Sequence, residues 1–143
     1  MKDRYVACMV LGAAGDALAF RNGEWEFQRD GTLIHQELTR LRGIENLEVS
    51  FAKNGLKVSD DTVMHNATAK ALVAAPNDEP EDLVFREIAK EYVACMEDMD
   101  GRAPGITCVR GAKMLRPLEP NGWVIPFDRA GGGCGGAMRY AFI

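Results

Sequence analysis

Ser59-Asp60-Asp61-Thr62-Val63-Met64-His65-Asn66-Ala67-Thr68-Ala69-Lys70-Ala71-Leu72 is the stretch whose reading decides how the rest of the chain is arranged. Val63, Met64, Ala67, Ala71 and Ala75 recur at helical spacing, so an amphipathic helix begins here. Ser59 is a natural N-cap, its hydroxyl accepting a bond from an orphan N–H of the first turn. Asp60 and Asp61 follow in that turn, where the positive end of the helix dipole favours ionised carboxylates. Both can project past the helix end with the hydroxyls of Ser59 and Thr62. Such oxygen donors suit a hard cation such as Mg²⁺, which takes few protein ligands and keeps its waters. Ordinary capping explains the same residues, and on local chemistry alone it is the simpler account.

Outward from this helix the chain reads as helical throughout. Residues 5–20 are apolar except for Asp16 and carry the small-residue patch Gly12-Ala13-Ala14-Gly15. Lys2, Arg4 and the Ala17-Leu18-Ala19 triplet resemble a secretory leader, but Asp3, Gly12, Gly15 and Asp16 interrupt the pattern. The run is also short for a membrane span. The expectation is a core helix packed closely through its small residues, with Asp16 either satisfied by neighbours or supporting a polar site. Thr32 is expected to cap a short helix with an Ile34, Leu38, Leu41 stripe that Gly43 ends. Residues 44–58 read as irregular and residues 76–80 as a turn. Residues 81–97 form a helix with Val84, Ile88, Tyr92 and Cys95 on one face. The glycines and proline of residues 98–105 break it before a short helix over 107–115, a turn at 120–122 and a last helix near Ala137.

Composition narrows the function classes. The chain has 143 residues, 17 basic against 21 acidic side chains and a net charge of −4. No Lys/Arg cluster marks a nucleic-acid surface. The four cysteines, Cys8, Cys95, Cys108 and Cys134, lie far apart without a Cys-x-x-Cys pair. That spacing suits reduced thiols in a cytoplasmic protein and offers no zinc site with His35 or His65. Glu26, between Trp25 and Phe27 on a polar loop, is either a pKa-tuned acid or base or a solvated residue between two anchoring rings. The run Gly131-Gly132-Gly133-Cys134-Gly135-Gly136 is either a cradle of backbone N–H groups for an anion or a flexible tail.

Together these pieces resemble the ADP-ribosylhydrolase family, also called the dinitrogenase-reductase-activating glycohydrolase family. The resemblance rests on GAAGDAL (12–18), WEF (25–27), SDDTVMH (59–65), DMDGRAPG (98–105) and GGGCGGAMR (131–139), and it runs over essentially the whole chain. DMDGRAPG with WEF looks like the branch that cleaves ADP-ribose from arginine. The resemblance implies an all-α fold of orthogonal helices, a magnesium site in a cleft, and hydrolysis of the ribose–arginine N-glycosidic bond on modified proteins. Carried over motif by motif, Ser59, Asp60 and Asp61 would supply half of the metal shell, with Asp60, Asp61 and Glu26 catalytic. Gly133, Cys134 and Gly135 would lie against the diphosphate, and Arg102 and Gly105 near the ribose. Ala19 departs from a glycine usual in the first motif.

The family's remaining metal ligands come from an Asp-x-Asp-Ser/Thr motif, whereas Asp98-x-Asp100 here precedes a glycine. Residues 1–143 therefore look like a single partial domain, the N-terminal portion of such a hydrolase. Alone, it is expected to have little activity and to be loosely packed or self-associating. The competing reading is a non-catalytic ADP-ribose-binding or regulatory fragment.

Overall fold

The structure, a computed structural model, describes residues 2–43, 55–75 and 80–139. Residues 76–79 of the turn expected at 76–80 and residues 44–54 of the irregular stretch expected over 44–58 lie outside these residues. Every regular element among the described residues is helical: α1 (Lys2–Phe20), α2 (Gly31–Arg40), α3 (Asp60–Ala74), α4 (Glu81–Cys95), α5 (Ile106–Met114) and α6 (Gly135–Met138). Short 3₁₀ turns cover Arg21–Gly23 and Met96–Asp98. The all-α class read from the sequence is the class observed.

The centre is the α3–α4 pair, the most extensive helix contact among the described residues. Met64, Ala67 and Ala71 of α3 and Ala89 of α4 are buried. Three of those four side chains are alanine, and so short a layer lets the two backbones approach closely. The buried Thr68 hydroxyl in this layer is satisfied: Thr68 Oγ1 donates to the Met64 carbonyl and shares a 2.8 Å hydrogen bond with Tyr92 Oη. Beside it, α3, α4, α5 and the 123–125 segment enclose an apolar cavity of about 300 Å³, lined by Met64, Phe85, Ile88, Tyr92, Ala112 and Trp123 among others. Trp123 is fixed there by stacking on Phe85, with ring centroids 4.6 Å apart, and by donating its indole N–H to Asp82 at 2.7 Å.

Three expectations are corrected. Residues 5–20 do form a helix, but not a core helix among the described residues. Only Ala17 and Phe20 of α1 are buried, while Tyr5, Val6, Val10 and Leu11 are each more than half exposed. A Cβ on Gly12 or Gly15 would meet nothing within 4 Å, so the small-residue patch makes no close contact there. The cap of α2 is Asp30, whose carboxylate accepts from Thr32 N at 2.9 Å, and not Thr32 itself. The last helix starts at Gly135, two residues before the expected Ala137.

Candidate metal and sugar site

The α3 N-terminus forms as its residues dictate. Ser59 Oγ accepts from Asp61 N at 3.1 Å, and Asp60 and Asp61 occupy the first turn. What the local sequence does not dictate is how tightly the preceding backbone is held from outside the helix. Asp16 Oδ2, from the C-terminal half of α1, accepts from Ser59 N at 2.9 Å and from the Thr62 hydroxyl. The half-buried acid of α1 is thus the joint between α1 and the α3 cap, and these partners satisfy its carboxylate. On the other side, Asp60 N donates to the Arg102 carbonyl at 3.0 Å. The Gly105 N–H lies on this side too and acts to lower the proton affinity of the Asp60 carboxylate.

A third support comes from the turn after α1. Arg21, Asn22 and Gly23 all adopt positive φ, at 48°, 54° and 88°. Glycine takes that region freely and asparagine tolerates it, whereas arginine does so at a cost. Arg21 is kept there by Glu37 of α2, which accepts from its Nη2 at 2.9 Å, and it also lies over the Trp25 ring at 5.3 Å. This bend presents Asn22 to the 55–57 segment, where its Oδ1 accepts from Lys57 N at 2.8 Å. The same bend sends the chain on to Glu26.

Glu26, Ser59, Asp61 and Asp16 line one cleft of about 190 Å³, with Ala19 and Phe20 as its apolar wall. A neighbouring cleft of about 230 Å³ shares Asp16 and Asp61 and runs past Thr62 and His65 to Met138. Carboxylates crowd this region, and the proton affinities of Glu26, Asp60 and Asp61 show it. Burial, then the charges of Asp60, Asp61 and Asp16, push the Glu26 carboxyl above its ordinary value. Asp60 is raised by burial and by Asp61 and Asp16, with the Gly105 N–H pulling the other way. Asp61 is raised by burial and by Asp16. Crowded, partly desolvated carboxylates resist ionisation unless a cation joins them.

The donor set is all oxygen, from carboxylates and hydroxyls, and fits a hard divalent ion. Among the described residues no three His, Cys, Asp or Glu side chains are grouped as a metal cage. A cation here would therefore take protein oxygens from Ser59, Asp60 and Asp61 and fill its shell with other ligands, as Mg²⁺ usually does.

The structure brings Ser59, Asp60, Asp61, Glu26, Arg102 and Gly105 to one neighbourhood. The glycine-rich run reaches these clefts through α6, whose Met138 lines one of them together with Asp61 and His65. Gly131 and Gly132 spend their N–H groups on the carbonyls of Asp128 and Ala130, and Gly133 and Cys134 are exposed. Gly135 packs on α5 so closely that a Cβ would lie 2.8 Å from Cys108 Sγ. Through α6 this run docks on α3, with His65 Nδ1 3.0 Å from the Met138 carbonyl oxygen.

Sequence reasoning missed Asn22 and Glu37 as supports of the site. The signal for Asn22 was its place before a glycine just beyond the end of an apolar helix. Glu37 carried none.

The family model for ADP-ribosylglycohydrolases matches residues 1–143. The chain belongs to the ADP-ribosylglycohydrolase family. It is 38% identical over 143 residues to an ADP-ribosylhydrolase ARH1 of Dictyostelium discoideum, covering 96% of this chain and 36% of the relative. The chain thus spans about a third of the length of that curated relative. No helix among the described residues is long and apolar enough to cross a membrane.

Proposed function

We propose that this chain carries the Ser59–Asp60–Asp61 part of an Mg²⁺-dependent site that cleaves ADP-ribose from arginine side chains of modified proteins. The observation that carries the reading is the held geometry of that turn, with Glu26 facing the same cleft. When bound, Mg²⁺ would orient the ribose and water by Lewis acidity. The rest follows from the chain's own groups. Asp60 and Asp61 place negative charge beside the sugar carbon that becomes oxocarbenium-like as the N-glycosidic bond breaks. Glu26, with its raised proton affinity, can take a proton from the attacking water. The water oxygen then forms the new bond to the ribose, and a proton goes to the departing guanidino nitrogen. The products are the unmodified arginine side chain of the protein and ADP-ribose.

Asp60→Asn and Asp61→Asn test this reading, because asparagine keeps the shape and loses the charge. Mg²⁺ should raise the melting temperature of the wild-type chain, since a ligand held only by the folded state stabilises it by mass action. Each variant should lose that rise. In a protein with the relative's full length, each should also slow Mg²⁺-dependent release of ADP-ribose from modified arginine by about 10²-fold or more. An equal Mg²⁺ response in wild type and both variants would return the pair to helix capping.

A further inference from the structure

Arg102 holds the backbone leading into α3 at two points, with its side chain and with its own carbonyl. Its Nη1 donates to the Val58 carbonyl at 2.7 Å, and its own carbonyl accepts Asp60 N at 3.0 Å. Its Nε donates to the Asp98 carbonyl at 2.8 Å, and its Nη2 lies 3.1 Å from both Asp98 carboxylate oxygens. The side chain is only 16% exposed. The planar fork of a guanidinium can serve a carbonyl and a carboxylate at once, which a lysine ammonium at the end of a flexible stem does not reproduce. Every nitrogen of the fork is therefore engaged within the protein. Arg102 thus grips the backbone of Val58 and Asp60, while Asp16 grips Ser59 N–H from the opposite side.

We propose that Arg102 is a positioning residue, a clamp whose guanidinium fixes the backbone of residues 58–60 and so aims Asp60 and Asp61, and that it does not contact the sugar. The inference builds on the proposed role of that carboxylate pair. Its test separates the two.

Amide hydrogen exchange on the full chain reads the clamp directly. In Arg102→Gln, residues 58–62 should exchange about tenfold faster, the scale of one lost hydrogen bond, while α4 keeps its protection. Arg102→Lys should show the same local loosening, and it decides the matter should the glutamine variant fail to fold. Mn²⁺ affinity, read by the electron paramagnetic resonance of the free ion, should fall about 10- to 100-fold in both, as when other outer supports of metal ligands are removed. Unchanged exchange at 58–62 would overturn the clamp, and so would an equal loss of protection across α4 and α5. Weaker ADP-ribose binding by Arg102→Lys with unaltered exchange would show a substrate contact instead. If the wild-type chain takes up no Mn²⁺, the cation reading of the pair falls, and exchange at 58–62 still decides the clamp.

Discussion

Glu37 shows how one side chain outside the cleft can govern a residue at its edge. Its carboxylate accepts the Trp25 indole N–H at 2.7 Å and the Arg21 guanidinium at 2.9 Å. Those bonds, Trp25 first and Arg21 second, hold its pKa below the ordinary 4.5. A carboxyl depressed in the folded state adds stability that is present above its unfolded pKa and is lost as pH falls through the folded value. Acidification below about pH 4.5 should therefore release Trp25 and the Arg21 bend and shift Trp25 fluorescence. Glu37→Gln, which keeps an acceptor and loses the charge, should abolish that transition. A Trp25 signal with the same acid midpoint in the variant would remove Glu37 from the account.

At the scale of elements, the α3–α4 seam should dominate the stability of the described fold. Met64 is almost wholly buried and borders the apolar cavity, so Met64→Ala enlarges a space that is already open. Truncations of this kind cost about 2–5 kcal/mol, and the value depends on how far the surroundings collapse. Tyr92→Phe is a finer probe, since it removes only the partner of the buried Thr68 hydroxyl. Thr68 keeps its bond to the Met64 carbonyl, so the cost should be near that of one hydrogen bond, about 1 kcal/mol. Urea unfolding followed by far-UV circular dichroism measures both. A Tyr92→Phe loss as large as that of Met64→Ala would mean the polar pair, and not the packed layer, holds the two helices.

The whole molecule exposes more apolar surface on α1 than its sequence led us to expect. Tyr5 and Met9 border an open, apolar crevice of about 550 Å³ with Ala69, Leu72 and Val73 of α3. Exposed surface of this kind favours association or dye binding. The isolated chain should bind ANS and sediment with a concentration-dependent mass, and Leu11→Glu, at a position 70% exposed, should reduce both without loss of helical signal. A monodisperse monomer with a sharp melt and no ANS binding would show that the chain closes its own surface.

The helices themselves were legible because their signals are local. Ser59 capping two acids, an apolar repeat over 63–75 and glycines at 101 and 105 each act within a turn or two of chain, and the structure places α3, α4 and α5 accordingly. The all-α class and the family motifs follow from the same residues. The side that α1 buries was not legible, because a helix apolar nearly all round carries no periodicity to point it. Nor were the supports of the α3 cap. Asp16 lies 43 residues from the amide it accepts, and Arg102 lies 44 from the carbonyl it donates to. Hydrogen bonds of that reach depend on where the intervening chain runs. The sequence by itself determined where α3 begins and which carboxylates stand in its first turn. Only the tertiary structure decided that a half-buried acid, a strained bend and an arginine from three separate segments meet there to hold the turn still.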